Sequence, residues 1–338
     1  MSKNSLPRSS TLPPEKRLTV GIELTNVCNF RCPICPQAYK AAGEMPAGAP
    51  YDRKNGMISR EVFLRAVDES QRVARRVELG FFGEQTLHAE YVPFLHELRE
   101  RTFDLEVNTN LSFLTREMMQ AWIDVGLDRA RLSVDAITPA VFNRARPGLV
   151  RDFEGRNVPE HRRMKVINEK IAYWLSFPEH RPTRLVFVES SYNRGELIPF
   201  LEHWLPKLGP EDRVLAKRVL SYGGKIADAL VSPHRCNVWE ERYVVVDWGG
   251  VVSPCNLDTN MDLALGNVME ASLEALYYGE RAQALRGQTG CGRAIVPCNT
   301  CVDGNNWGFN QTFAKGDALP TAEELATPIA LPVLAAAR

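Results

Sequence analysis

Hydrophobic positions in this chain fall into short runs whose period switches repeatedly. Residues 18–24 (LTVGIEL) alternate as a strand does. After a loop rich in cysteine, proline and glycine, Ser59 precedes REVFLRAVDESQRVA, where apolar residues recur at helical spacing behind a good N-cap. The exchange continues with a strand at 77–82 (VELGFF), a helix at 91–101, a strand at 103–109, a helix at 115–125, a strand at 129–134 and a helix at 139–144. Residues 146–184 interrupt the rhythm and hold one helix near 164–174. A strand at 185–189 (LVFVE), a helix at 196–205 and a strand at 213–217 resume it. Strands alternating with helices predict βαβ units and a mainly parallel sheet, roughly six units of an α/β fold.

Beyond residue 225 the pattern changes. Residues 242–247 (RYVVVD) and 251–254 flank Trp248-Gly249-Gly250, a hairpin signal, and 273–285 reads as one helix. The chain divides on this basis into a flexible leader (1–17, with Pro7, Pro13 and Pro14), a core (18–225), a second domain (226–310) and a loosely attached tail (311–338).

Composition narrows the function. The chain has 338 residues, with 41 Lys plus Arg against 41 Asp plus Glu, so its formal net charge is zero. That balance argues against a nucleic-acid binder with a broad basic surface. The apolar run at 329–337 contains Pro332 and is too short to span a bilayer, and the N-terminus has no apolar core of a secretory signal. A cytoplasmic protein without nucleic-acid or membrane partners is expected. In a reducing compartment its eight cysteines point to metal or redox chemistry rather than to four disulfides.

Those cysteines fall into two groups. Cys28, Cys32 and Cys35 form a C-x3-C-x2-C loop directly after the first strand. Three thiolates from one short loop can hold three corners of an iron–sulfur cube, whereas a closed zinc site wants a fourth ligand that is not nearby. A zinc or disulfide loop is the alternative. The loop resembles the signature of the radical S-adenosylmethionine (SAM) enzymes, including apolar Ile34 before the last cysteine. In that family the open iron chelates SAM, and an electron cleaves it to methionine and a 5′-deoxyadenosyl radical. The resemblance implies an external one-electron donor such as flavodoxin or ferredoxin. It also implies that Phe82-Gly83-Glu84, which is similar to the family's GGE-type motif, meets the SAM amino group. Asn108, Ser133 and Asp135, near the ends of the third and fourth strands, are its further SAM contacts. Ligand groups at the carboxyl ends of parallel strands suit α/β architecture.

The second group resembles the twitch form of the family's SPASM extension, in which a glycine hairpin carrying a cysteine precedes a helix and a CxxC. Cys236, Cys255, Cys298 and Cys301 are enough for one auxiliary 4Fe–4S cluster; a four-cysteine zinc ribbon has the same spacing. The implied fold is a partial (β/α)6 barrel with a C-terminal β-hairpin-plus-helix extension. The order of motifs resembles twitch dehydrogenases and epimerases of aminoglycoside and oligosaccharide antibiotic pathways, so a small sugar or aminoglycoside-type substrate is expected. Extra sequence at about 37–57 and 146–184 departs from the smaller members and could shape a larger pocket.

Three plus four leaves Cys291, between Gly290 and Gly292. It is a small packed hydrophobe, an auxiliary ligand, or a hydrogen-atom donor. A dedicated free thiol favours the donor reading, so epimerisation of a carbinol carbon is the leading expectation and dehydrogenation the alternative. Without it, loss of a proton and an electron gives a ketone, with the auxiliary cluster as electron acceptor. Radical modification of a ribosomal peptide and a zinc-stabilised binding module are the other readings. Among further candidates, His88 could face the pocket. The basic stretch Arg151, Arg156, His161, Arg162, Arg163 and Lys165 could form a lid over an acidic substrate. Tryptophans such as Trp239, Trp248 and Trp307 could stack sugars, although core packing is the default.

Overall fold

The computed structural model describes residues 13, 17–40, 53–226, 235–290, 293–304 and 310–321. Strands β1 (Leu18–Ile22), β2 (Ala74–Leu79), β3 (Asp104–Thr109), β4 (Arg129–Ser133), β5 (Thr183–Glu189) and β6 (Arg213–Arg218) lie side by side in chain order, every neighbouring pair parallel. Helices α1 (Arg60–Val73), α2 (Tyr91–Glu97), α3 (Arg116–Asp124), α4 (Pro139–Ala145), α5 (Arg163–Leu175) and α6 (Leu197–Trp204) connect them. Ser59 caps α1 by accepting from Val62 N–H, and Thr115 caps α3 through Met118 N–H, each at 3.2 Å. Strand residues such as Val20, Leu79, Leu105, Leu132 and Leu185 are fully buried, as are Trp122 and Trp174 on α3 and α5. β1 and β6 do not pair, so the barrel stays open.

β7 (Tyr243–Val246) joins the free side of β1 in parallel, and β8 (Val251–Ser253) and β9 (Gly266–Asn267) follow antiparallel. The hairpin therefore continues the barrel sheet. Its turn is organised by Asp247, whose Oδ1 accepts from Gly249 N–H at 2.9 Å and Val251 N–H at 2.8 Å. The helix expected at 273–285 is two helices, α7 (Leu273–Tyr278) and α8 (Glu280–Arg286), because Gly279 is extended (φ −74°, ψ −179°) between them. β2 starts and ends three residues earlier than expected. Pairing with β1 recruits Ala74 and Arg76, and Gly80 at φ +144° closes the strand. The expected tail contributes an edge strand, β10 (Gln311–Phe313), antiparallel to β6. Among the described residues no helix is long and apolar enough to cross a membrane.

Candidate active site and auxiliary centre

At the carboxyl ends of the barrel strands lies a cavity of about 310 Å³. Cys28, Cys32, Ile34, Cys35, Phe82, Gly83, Glu84, Asn108, Ser133 and Asp135 all line it, so the fold gathers residues from the ends of β2, β3 and β4 and from the cysteine loop around one space. Backbone contacts hold the loop. Gly83 sits at φ +81° against it, and a Cβ there would lie 2.3 Å from Thr25 O and 2.8 Å from Val27 O. The chain approaching this glycine is the Thr25–Val27 backbone that leads into the cysteine loop, while Gly83 also lines the cavity. Glu84 N–H then donates to Val27 O at 2.9 Å. On the other flank Arg31 N–H donates to Pro147 O at 2.8 Å, and a Cβ on Gly148 would meet Asn29 O at 2.4 Å.

Glu84 is buried and ties the loop to the end of β3. Its Oε1 accepts from Thr86 Oγ1 and Thr109 Oγ1, both at 2.7 Å, and its Oε2 from Asn110 N–H at 2.7 Å. Asn110 Nδ2 lies 3.8 Å from Cys28 Sγ. Asp135, at φ +61°, is equally occupied: Oδ1 accepts from Val188 N–H at 2.7 Å, and Oδ2 pairs with Arg146 at 2.5 Å. Arg146 is the main residue that sequence reasoning passed over. It is buried, lines the cavity, and its Nε has no hydrogen-bond partner among the described residues. No motif marks it; its position just after α4 was the only available signal.

The thiols are poorly solvated. Burial, with the charge of Glu84 adding to it, pushes Cys28 up to about 12, and burial likewise raises Cys32 and Cys35. Arg146 acts in the opposite direction on all three. Soft thiols gathered where water does not stabilise their charge suit iron, which deprotonates a coordinating thiol outright.

A second cavity of about 110 Å³ adjoins the first, and Cys236, Cys255, Cys298 and Cys301 all line it. They come from three segments. Cys255 follows β8, where Ser253 Oγ is held by Asp258 at 2.9 Å. Asp303 accepts from Ser221 Oγ at 2.6 Å and from Cys301 Sγ at 3.7 Å, tying the last cysteines to the chain after β6. Burial raises the Cys255 and Cys298 thiols too. The cavities share Lys217, Arg218, Leu220, Tyr243, Asn256 and Leu257. Lys217 stands on that common wall with its amine lowered to about 8 by burial and by Arg131.

Other candidates fall outside. Cys291, Trp307 and most of 37–57 lie outside the described residues; Gly290, before Cys291, lines the second cavity. His88 is buried away from either cavity, accepting from Glu90 N–H at 3.1 Å and donating to Ile58 O at 3.0 Å. The basic stretch is no lid. Arg156 pairs with Asp152 and Glu154, Lys165 with Glu169, and none of its members lines either cavity. Trp239 and Trp248 line neither cavity; Trp239 donates to Thr289 Oγ1 at 2.8 Å. The segment at 146–184 contributes Arg146 to the cavity wall, and its buried Lys170 donates to Leu111 O and Ser112 O at 2.9 and 3.1 Å, beyond the end of β3.

Comparison with known proteins agrees with this geometry. Residues 22–169 match the Radical SAM superfamily, and residues 236–302 match SPASM, an iron-sulfur cluster-binding domain. The chain thus carries a radical SAM domain followed by a SPASM domain, which imply SAM, a 4Fe–4S cluster and an auxiliary cluster as cofactors. It is 24% identical to the tungsten-containing aldehyde ferredoxin oxidoreductase cofactor-modifying protein of Pyrococcus furiosus, over 77% of this chain and 80% of that one. Among solved structures, Streptococcus suis SuiB bound to precursor peptide SuiA is 11% identical with a TM-score of 0.63, covering 86% of this chain and 72% of that one. BtrN in complex with AdoMet and 2-DOIA is 16% identical with a TM-score of 0.51, covering 80% and 86%. At these identities the structural likenesses speak to the fold.

Proposed function

We propose that the enzyme oxidises a secondary alcohol of a small carbohydrate or aminocyclitol natural-product intermediate to a ketone, with the substrate held between the two cysteine cavities. The observation that carries this reading is their common wall, which supports a substrate in reach of both centres. In this reading Cys28, Cys32 and Cys35 hold the SAM-binding cluster and Cys236, Cys255, Cys298 and Cys301 the auxiliary one. When bound, these groups supply a hydrogen-abstracting 5′-deoxyadenosyl radical and an acceptor for a second electron. The chain's own residues do the rest. Glu84 Oε2, with Asn108 and Ser133 beside it, receives the SAM amino group and neighbouring polar atoms. Asp135 holds Arg146 against the cysteine loop, where its charge offsets that of the thiolates. Lys217 accepts the hydroxyl proton, since an amine lowered to about 8 is partly neutral near neutral pH.

A second reading is epimerisation with Cys291 as hydrogen-atom donor. It is favoured by a thiol left over from both cysteine sets. The test is to incubate the reduced, cluster-loaded enzyme and SAM with aminocyclitols deuterated at the carbinol carbon. Deuterium in 5′-deoxyadenosine with a ketone product supports dehydrogenation. An inverted alcohol carrying solvent hydrogen, lost in Cys291→Ala, supports epimerisation. No deuterium transfer from any of these substrates, with transfer from a peptide instead, contradicts both.

A further inference from the structure

The opposite mouth of the barrel holds a polar cavity that the cluster chemistry does not use. It measures about 270 Å³ and is lined by Arg129, Pro182, Arg184, Pro210, Glu211 and Arg213. Arg129 begins β4, Arg184 is the second residue of β5 and Arg213 begins β6, so this is the amino-terminal end of the strands. The sheet register sets Arg184 between Arg131 and Arg213 as direct cross-strand partners. Like charges so placed repel.

The nearby carboxylates leave this charge uncancelled. Glu106 pairs with Arg129 at 3.0 Å and Arg131 at 2.9 Å, with Arg76 at 3.9 Å. Glu78 lies 4.0 Å from both Arg76 and Arg131. Glu78 and Glu106 are thus shared among Arg76, Arg129 and Arg131, and neither forms an ion pair with Arg184 or Arg213. Arg213 Nη1 donates to Pro210 O and Asp212 O, both at 2.6 Å, which orients the group without neutralising it. The Arg184 guanidinium makes no hydrogen bond or ion pair with any described residue, and Glu211 forms no ion pair with these arginines. Burial and the neighbouring Arg129, Arg131 and Arg213 lower the Arg184 pKa, and Glu106 opposes them only in part.

We propose that this mouth is a binding site for a small oxyanion of the phosphate type, held by Arg129, Arg184 and Arg213. Guanidinium groups donate paired N–H bonds to such oxygens, and three of them converge on a cavity of the right scale. The source is free phosphate or a phosphoryl ester of a metabolite.

The test uses the intact, cluster-loaded protein. Its unfolding midpoint is followed in sodium phosphate and in sodium chloride at matched ionic strength, and phosphate affinity is measured by calorimetry. The site predicts a saturable rise with phosphate that chloride does not reproduce. Arg184→Met should weaken phosphate binding by roughly 10- to 100-fold, the worth of hydrogen bonds to a charged group. In chloride it should unfold no earlier than wild type, because it removes a repelled charge. If that variant does not fold, Arg213→Met carries the same comparison. Competition by glycerol 2-phosphate at equal or tighter affinity identifies an ester as the source, and failure to compete identifies the free ion. Equal responses to phosphate and chloride, or undiminished binding in the variant, overturn the proposal.

Discussion

The two cysteine cavities are built by opposite strategies. In the first, three cysteines lie within one short loop, and distant glycines pin that loop through backbone contact. In the second, four cysteines spread over 66 residues of chain, 236 to 301, and meet because β7 extends the barrel sheet and Asp303 anchors the last segment to the chain after β6. A compact spacing motif thus depends on remote backbone fit, while a dispersed set depends on strand pairing. The first should be sensitive to added atoms at the loop contacts, the second to loss of side-chain anchors.

The sharpest contrast comes from the cysteines themselves. Cys28→Ala should abolish 5′-deoxyadenosine formation, measured chromatographically after reduction with SAM present. Cys255→Ala should retain SAM cleavage while losing substrate turnover. Equal loss in both variants would erase the functional division between the cavities.

Arg146→Met should come next. It strands the Asp135 carboxylate without its partner in a buried setting, a change that costs about 3–5 kcal/mol. Denaturant unfolding measures this. A variant as stable as wild type would show that the pair contributes nothing to holding the first site.

Gly83→Ala should destabilise by roughly 2–5 kcal/mol, since the new methyl group overlaps the backbone at Thr25 and the φ angle is left-handed. Gly126→Ala, at φ +64° with open space around it, should show only the angular penalty of roughly 1–2 kcal/mol. Similar losses at both would mean that loop contact does not matter.

A further prediction concerns the pH dependence set by Lys217. Its folded pKa, about 8, lies below the ordinary value of 10.5, so between these values the unfolded chain binds more protons. Stability of the wild type relative to Lys217→Met should therefore rise from about pH 8 to about pH 10.5. A flat difference across that window would place the amine in water rather than on the common wall.

Much of this arrangement is written locally in the chain. The six-strand order follows from changes of hydrophobic period, and the residues singled out around the first cavity do line it, because strand ends in a parallel sheet share one face. What escaped the sequence is non-local. Nothing near Asp135 says that Arg146 will claim its carboxylate, and nothing near Gly83 says that the Thr25–Val27 backbone will approach it. β9 and β10, with two and three residues, carry no periodicity of their own and form only because an existing sheet offers an edge. Gly279 splits the last helix although the apolar pattern runs through it, since periodicity does not register an extended residue between two helical turns.

In the proposed function, Cys28, Cys32 and Cys35 hold one cluster, which meets SAM, and Cys236, Cys255, Cys298 and Cys301 hold another. Iron and sulfide analysis with electron paramagnetic resonance, on the wild type and on a Cys28/Cys32/Cys35→Ala variant, tests it directly. The variant should keep half the iron and sulfide and show a reduced cluster whose spectrum SAM does not alter, whereas SAM should perturb the wild-type spectrum. Zinc without sulfide in the wild type, or a SAM-sensitive cluster in the variant, would contradict it.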